Sequence, residues 1–308
     1  MQGLLAQSAE VFHDLDCYNS ALIPPELAPL NSFYGIGSVV RRYASLEMSQ
    51  PLYCHWPHEV LNQPNGLCSY DLNCLPLTMA YCKFNLINQV SLNAIRHAPV
   101  KVAPSITPFS MALQSLKDDG SLEADRVPGA VYFLSKGTLN RSLSSRRELE
   151  AQIERNIERL RVRYNIVNAC VFWKELKQGF WSTTLYKKFD NCFCAGTQMD
   201  PSFLLRSAKI IASHDTICAS HFGSFAVYAS IAKVKFEIIN GPSVGDVGHY
   251  NIKERAQELS FYEEICTPEY IREKNDEARF LFSTLSGRKK YLFFKIENAW
   301  KNRRLSIN

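Results

Sequence analysis

The sequence lacks the short motifs that identify the commonest nucleotide-binding and metal-binding proteins. Neither GxGxxG nor a P-loop is found in its 308 residues, so a standard dinucleotide or ATP site is not predicted. The ten cysteines contain no CxxC pair, and most of them stand among apolar residues. This pattern favours buried, reduced thiols over zinc ligands or disulfides, and it is typical of a cytosolic protein.

Long apolar runs and a strong charge imbalance are also missing. No stretch reaches the length of a membrane-spanning helix, and the N-terminus has no basic segment followed by an apolar one, so nothing predicts secretion. The net charge of +5 is only mildly basic, which argues against a dedicated nucleic-acid-binding protein. With 46% hydrophobic residues the chain has ample material for a core, and its length predicts two domains or one large α/β domain.

The second half of the chain alternates strand-like and helix-like segments. Five short apolar runs, each of strand length, are separated by segments with helical spacing or by turns. The runs lie at residues 129–134, 167–173, 191–195, 215–219 and 233–239. This alternation predicts an α/β fold of Rossmann-like type with a parallel sheet.

A cluster of charge, glycine and proline at residues 117–128 is the best candidate for a domain boundary. We therefore expect an N-terminal α/β domain over residues 1–125 and a Rossmann-like domain over residues 126–265. The remaining residues, 266–308, should form C-terminal helices with a basic tail.

The stretch from residue 194 to residue 242 contains the turn on which the functional prediction depends. Ser220, His221, Gly223 and Ser224 lie between a short strand and the next helix. Amide groups at the start of a helix that follows a parallel strand bind phosphate well. The serine hydroxyls would add hydrogen bonds and a protonated His221 would neutralise charge, so these residues predict a phosphate site. The alternative is an ordinary strand-to-helix turn with a serine cap.

A second polar turn follows the first strand of the same domain. Ser135, Lys136, Gly137 and Thr138 stand at the carboxyl end of this strand, where open α/β sheets bind ligands. Lys136 is predicted to meet a phosphate, and a solvated loop lysine is an equally good interpretation.

Two groups of titratable side chains are candidates for acid–base chemistry. His55, His58 and Glu59 follow a strand-like segment in the first half of the chain, and Asp118 precedes an aspartate and a glycine. Structural or surface roles compete with the catalytic interpretation of the histidines, and Asp-Gly is a common turn pair. Two histidines three residues apart are a weak metal signal, but no third ligand stands nearby, so no metal site is predicted.

Six segments, taken in chain order, carry a resemblance to a known family. They read NSFYGIGSVVRRY, LYCHWPHE, GAVYFLSKGT, NACVFWKEL, CAGTQMDPSFL and SHDTICASHFGSFAVYASIAKVKFEIINGP. The series resembles GT-B-type glycosyltransferases of bacterial capsule and lipopolysaccharide synthesis, especially the sialyltransferase-like enzymes. Asp118, Asp119 and Gly120 match the acidic-acidic-glycine motif of those enzymes in letters, whereas their later His-Pro motif is absent here.

The resemblance implies two Rossmann-like domains facing a cleft, the C-terminal one holding a sugar nucleotide. It implies hexosyl or sialyl transfer to a saccharide or lipid-linked saccharide acceptor, by metal-independent single displacement. The nucleotide sugar is then a substrate, and no cofactor is expected. One of His55, His58, Glu59 and Asp118 would act as the general base. The expected location is the cytoplasm, at the inner face of the membrane if the acceptor is lipid-linked.

The basic aromatic tail at residues 288–304 has two interpretations. Apolar aromatics with basic flanks are typical of a helix that lies on an anionic membrane surface, which suits a lipid-linked acceptor. A helix that packs across the two domains and keeps its lysines in water is the alternative.

Two other functions stay open. The missing His-Pro motif is compatible with a catalytically inactive GT-B-like protein that binds glycans or organises a biosynthetic complex. A hydrolase that uses Ser220 or Cys218 is the second, although no GxSxG motif surrounds either residue.

Overall fold

A computed structural model of the chain describes residues 26, 29–56, 78–81, 102–122, 126–134, 143–220, 223–239 and 266–284. The chain divides into two compact units. The five-stranded unit contains the described residues from 116 to 239, and the three-stranded unit contains those from 26 to 115 together with 266–284. Every strand pairing in the two sheets is parallel, which confirms the predicted α/β class.

The five-stranded unit alternates strands and helices along the described chain. Its strands are β4 (Val127–Phe133), β5 (Ile166–Cys170), β6 (Cys192–Phe193), β7 (His214–Ala219) and β8 (Lys235–Ile238). Its helices are α3 (Leu143–Arg161), α4 (Trp173–Lys177), α5 (Thr183–Tyr186), α6 (Phe203–Ala212) and α7 (Ser224–Ile231). Each of the five apolar runs of the sequence overlaps one strand, which confirms that part of the prediction.

The strands of this sheet lie in the order β6-β5-β4-β7-β8. The central strand β4 is thus the first of this sheet along the chain. The next two strands, β5 and β6, lie on one side of it, and the last two, β7 and β8, lie on the other. Parallel strands that are covered on both faces consist of nearly continuous apolar runs. Strand β4 fits this rule, because its residues from Gly129 through Tyr132 are buried. At Gly129 itself a Cβ would lie 2.6 Å from the Ile166 carbonyl oxygen, so only glycine fits beside β5.

The core of this unit lies between the sheet and α3. Ile153, Ile157 and Leu160 recur at helical spacing and are buried against β4 and β5, as the sequence pattern predicts. Elsewhere in the unit α7 buries Ala226 and Ala229, and these small side chains let the helix approach β7 and β8 closely.

The three-stranded unit has strands β1 (Cys54–His55), β2 (Thr78–Tyr81) and β3 (Val102–Pro104), in that order across the sheet. Its helices are α1 (Ile36–Tyr43), preceded by a 3-10 segment at Pro29–Gly35, and α8 (Pro268–Thr284). Helix α2 (Pro108–Asp118) begins in this unit and ends at the first residues of the other. The predicted helix start at Thr267-Pro268 is confirmed, because proline suits the first helical position.

A buried ion pair stabilises the three-stranded unit. The Arg41 guanidinium, which is fully buried, donates to both carboxylate oxygens of Glu26 at 2.5 and 3.2 Å. Its Nε also donates to the Gln50 carbonyl. Because a buried charge is costly when its counter-charge is removed, we expect loss of either side chain to destabilise this unit.

Three element boundaries differ from what the sequence predicts. The apolar run at residues 51–56 predicts a strand of six residues, but β1 has two, because the Tyr53 amide donates to the Asn275 side chain of α8 rather than to another strand. The capping-box pattern at residues 145–148 predicts a helix that starts after Ser145, whereas α3 begins at Leu143. Asp200 followed by Pro201 predicts an N-cap and a first helical residue, whereas the N-cap of α6 is Ser202 and the helix begins at Phe203.

Among the residues described, no helix combines the length and the apolar character needed to cross a bilayer.

Candidate functional site at the carboxyl edge of the five-stranded sheet

The strand order creates a switch point between β4 and β7. From β4 the chain turns toward β5, and from β7 it turns the opposite way toward β8, so the two connections diverge at neighbouring strand ends. Phe133 pairs with Ala219 in the sheet register, which makes Leu134 and Ser220 neighbours at the carboxyl edge. Ligands of open α/β sheets bind at such a point, because the diverging connections leave a crevice there.

Helix α7 starts at this edge with a glycine as its N-cap. Gly223 is extended (φ −153°, ψ −179°) and half-buried, and Ser224 is the first helical residue. Glycine has no side chain that could accept hydrogen bonds from the amides of the first turn, although its carbonyl accepts from the Ala226 amide at 2.9 Å. The positive end of the helix dipole is therefore presented by backbone amides, which favours an anion.

Gly223 is favoured by aromatic packing and not by its backbone conformation. An added Cβ would lie 2.6 Å from the Phe225 ring. This ring stacks on Phe133 with centroids 5.0 Å apart and contacts Phe236 at 6.0 Å. Phe133 of β4 and Phe236 of β8 thus hold the first turn of α7 against the sheet, and with it the direction of the amides in that turn.

Ser220 belongs to a polar cluster on the other flank of the switch point. The Tyr132 hydroxyl accepts a hydrogen bond from Asn156 Nδ2 at 3.0 Å, and Ser220 contributes to the surroundings of this phenol by lowering its pKa. Burial raises the pKa of Tyr132 above its usual value, so this phenol is neutral at physiological pH. Its hydroxyl is a hydrogen-bonding group here rather than a base.

Cys218 lies in β7, two residues before Ser220, and is fully buried. Burial raises the pKa of its thiol to about 12, with the nearby Glu237 carboxylate adding to the effect. A thiol with such a pKa supplies almost no thiolate at neutral pH, so Cys218 is a core side chain and a poor candidate for a nucleophile.

The structure brings three predicted site residues together and leaves others outside its range. Ser220, Gly223 and Ser224 all lie at the carboxyl edge beside β7, as the sequence predicts. His55 is the last residue of β1, where its backbone pairs with Met79. The predicted site residues that lie outside the described residues are His58, Glu59, Ser135, Lys136, Gly137, Thr138 and His221.

Asp118 is the last residue of α2 and is exposed. Gly120 follows in the left-handed conformation (φ +69°), its amide donates to the Lys117 carbonyl, and the Ser121 amide donates to Asp119 Oδ1 at 2.9 Å. These contacts form a helix-terminating turn, which was the alternative interpretation of the Asp-Gly pair.

Two members of the polar cluster were missed by sequence reasoning. Tyr132 stands in an apolar strand and reads as a core residue. Asn156 carried a usable signal, since it is a polar residue on the apolar stripe of α3, beside Ile153 and Ile157. A buried polar side chain on such a stripe needs a partner across the interface, and Tyr132 is that partner.

Other candidate groups have weaker support for a role in the site. Glu175 follows β5 in the sequence, a position that suits contact with the nucleobase or ribose of a nucleotide, but its side chain is buried and accepts a hydrogen bond from Trp181 Nε1 at 3.0 Å. A GxSxG pattern does occur at residues 241–245, apart from Ser220 and Cys218, and lies outside the described residues. Within the described ranges no group of three or more His, Cys, Asp or Glu side chains is placed to hold a metal ion.

Comparison of the chain with protein-family models, with curated proteins and with solved structures finds no match in any of the three. The resemblance to GT-B-type glycosyltransferases therefore stays a prediction, and the case for a function depends on the geometry of the carboxyl edge.

Proposed function

We propose that this protein is a GT-B-type glycosyltransferase that moves a sugar from a nucleotide-sugar donor to a saccharide acceptor in surface polysaccharide synthesis. The observation that carries the proposal is the glycine-capped start of α7 beside the carboxyl end of β4, at the switch point of a parallel sheet. That arrangement suits the phosphate groups of a nucleotide, and the sequence offers no motif for a dinucleotide or ATP.

The α7 start has a defined task in this reaction. The acceptor hydroxyl attacks the anomeric carbon, the bond from that carbon to the donor phosphate breaks, and the nucleotide leaves with the bonding electron pair. The amides of the first turn and the hydroxyls of Ser220 and Ser224 would stabilise the negative charge that develops on the leaving phosphate. Stabilisation of this kind needs no metal ion.

The remaining steps belong to residues that sequence reasoning selected. A general base must take the proton of the acceptor hydroxyl, and His55, His58, Glu59 and Asp118 are the candidates. In a GT-B arrangement the three-stranded unit would supply the acceptor side. The basic aromatic tail at residues 288–304 would then bring the enzyme to a membrane that carries lipid-linked acceptors.

Nucleotide binding tests the proposal. We expect one of CMP, UDP, GDP and CDP to raise the melting temperature, because a ligand at 100 times its dissociation constant adds about 2.7 kcal/mol of stability. Ser224→Asp places a carboxylate in the first turn of α7, where it favours the helix dipole but repels a phosphate. This variant should fold normally and lose the nucleotide-dependent shift.

Ser230→Asp is the matched control, because it adds the same charge near the opposite end of the same helix. It should keep the nucleotide-dependent shift. An unchanged shift in Ser224→Asp would remove the α7 start as the phosphate site. Slow hydrolysis of a sugar nucleotide by the wild-type protein separates an enzyme from an inactive glycan-binding relative, which should bind the nucleotide without turning the donor over.

A further inference from the structure

The indole N–H of Trp173 is buried and donates no hydrogen bond within the described part of the chain. The other two tryptophans described there both have acceptors. Trp56 Nε1 donates to Ser105 Oγ at 3.1 Å. Trp181 Nε1 donates to Glu175 Oε2 at 3.0 Å. A buried donor without a partner costs free energy, so native proteins rarely keep one without a reason.

Trp173 lies at the carboxyl edge of the five-stranded sheet, on the side of β4 that is away from α7. Strand β5 ends at Cys170, which pairs with Phe133 at the end of β4, and α4 begins at Trp173. The indole packs against the same core cluster as Leu134, the residue that neighbours Ser220 at this edge. Trp173 is therefore beside the crevice in which the nucleotide is proposed to bind.

The spacing of the strands sets the distance between Trp173 and the proposed phosphate site. Neighbouring strands lie about 4.8 Å apart, and β4 separates β5 from β7, so the ends of β5 and β7 are about 10 Å apart. The sugar of a nucleotide joins its phosphate to its base over a comparable distance. A phosphate at the start of α7 would therefore leave the base near the end of β5.

The surroundings of the indole suit a planar base. The rings of Phe172 and Trp173 lie edge to face with centroids 6.0 Å apart, and both side chains are partly exposed. Aromatic faces stack on bases, and an indole N–H adds a contact with a fixed direction. Lys174 Nζ lies 5.5 Å from the centre of the Trp173 ring. A lysine side chain is long and flexible, so it can move aside when a ligand approaches the ring.

We propose that the Trp173 N–H donates a hydrogen bond to a carbonyl oxygen of the donor nucleotide's base, which makes Trp173 a specificity-determining residue. This inference rests on the proposed function and extends the same site. An indole N–H can only donate, so its partner must be an acceptor. Cytosine, uracil and guanine each carry a carbonyl oxygen and adenine carries none, so the site selects against adenine.

Trp173→Phe removes the N–H and keeps an aromatic ring. Isothermal titration uses whichever of CMP, UDP, GDP and CDP stabilises the wild type most, and the variant should bind it about tenfold more weakly. Ribose 5-phosphate, which has the sugar and phosphate but no base, should bind the variant and the wild type equally. Equal losses of affinity for the two ligands would assign Trp173 to the sugar or phosphate and overturn the inference.

Selectivity between bases is a readout that general damage to the core would not change. The wild type should bind the adenine nucleotide with the same number of phosphates about tenfold more weakly than its preferred nucleotide. Trp173→Phe should bring this ratio close to one, because it lowers affinity only for the base that has the carbonyl oxygen.

Trp181→Phe is the matched control, because it removes an indole N–H from the same hydrophobic core. This N–H has an acceptor in Glu175, so its loss should lower the free energy of unfolding more than Trp173→Phe does. The affinity of the control variant for the nucleotide should equal that of the wild type.

Three results separate the inference from the proposed function. Weaker nucleotide binding in Trp173→Phe, with unchanged binding of ribose 5-phosphate and a smaller preference against adenine, supports the inference. Wild-type nucleotide affinity in Trp173→Phe, or a wild type that binds the adenine nucleotide equally well, overturns it and leaves the phosphate site in place. A wild type that binds none of the four nucleotides overturns the proposed function and this inference together.

Discussion

At the scale of single residues, burial decides the protonation state of His214. Its Nδ1 contacts the Ile210 carbonyl oxygen at 2.7 Å and its Nε2 contacts Asn168 Nδ2 at 2.8 Å. A carbonyl can only accept and an amide nitrogen can only donate, so the proton is on Nδ1 and the ring is neutral. Asn191 completes the cluster by donating to Asn168 Oδ1. Because His214 stands at the amino end of its strand, the sequence predicts a structural role for it, and these contacts agree with that prediction.

This neutral histidine makes stability depend on pH. Burial lowers the pKa of His214 from its usual 6.5, so between that value and the lowered one the unfolded chain binds a proton and the folded chain does not. The free energy of unfolding should therefore be unaffected by His214 above pH 6.5 and should fall as the pH is lowered below 6.5. Urea denaturation at a series of pH values measures the slope.

His214→Gln is the comparison for this prediction. A glutamine amide can still donate to a carbonyl and accept from Asn168, but it does not titrate. The variant should be less stable at neutral pH and should show a flatter decline in acid. A decline as steep as that of the wild type would assign the pH dependence to other groups.

At the scale of an element, α6 shows how one side chain can organise the start of a helix. Asp200 accepts a hydrogen bond from the Ser202 amide at 2.8 Å and forms an ion pair with Arg206 one turn into the helix. Its carboxylate is buried, and Gly196, which has φ +108°, leaves the space for it. The Asp200 side chain therefore connects the loop after β6 to the helix, which begins at Phe203.

Removal of the Asp200 carboxylate should destabilise the protein measurably. Asp200→Ala loses the acceptor for the Ser202 amide and the ion pair with Arg206, and we expect a cost of about 2 kcal/mol in the free energy of unfolding. Asp200→Asn keeps an acceptor but loses the charge, so its cost should be about half as large. Chemical denaturation of the two variants measures both values.

Asp276→Ala serves as the control, because Asp276 is an exposed residue within α8. It should change stability by no more than about 0.5 kcal/mol. Equal losses of unfolding free energy in Asp200→Ala and Asp276→Ala would show that the contacts of Asp200 do not contribute to stability.

At the scale of the whole molecule, the cysteines report on how the chain is buried. Six of the ten cysteines lie in the described ranges, all six are buried, and they carry no disulfide. Burial raises the pKa of Cys54, Cys170 and Cys192 to about 12, and that of Cys266 to about 11. The expected pattern of buried, reduced thiols is thus met by the described part of the chain.

These thiols should be unreactive in the native protein. Because six of the ten are buried, at most four should react quickly with a thiol reagent at neutral pH, and the rest only as the protein opens. Mass spectrometry of labelled peptides identifies the sites, and labelling in urea supplies the full count. Rapid native labelling of Cys170 or Cys218 would contradict the packing of the five-stranded unit.

The sequence by itself determined the elements of the five-stranded unit. Apolar runs of strand length and the helical spacing of Ile153, Ile157 and Leu160 depend on local burial, and local burial is written in the order of residues along the chain. The same holds for the polar turn between β7 and α7. Exact boundaries were less predictable, since the start of α6 depends on the Asp200 side chain and the start of β1 on the side-chain oxygen of the distant Asn275, which accepts from the Tyr53 amide.

Only the tertiary structure decided which segments meet. A periodic pattern says that a strand is buried but not which strand lies beside it, so the switch point between β4 and β7 could not be read from the sequence. The partnership of Tyr132 and Asn156 has the same origin, because these two residues, 24 positions apart in the chain, become neighbours only when the sheet and α3 pack together. The hydrophobic periodicity of a sequence predicts which side chains are buried. The partner of each buried side chain depends on how whole helices and strands pack together.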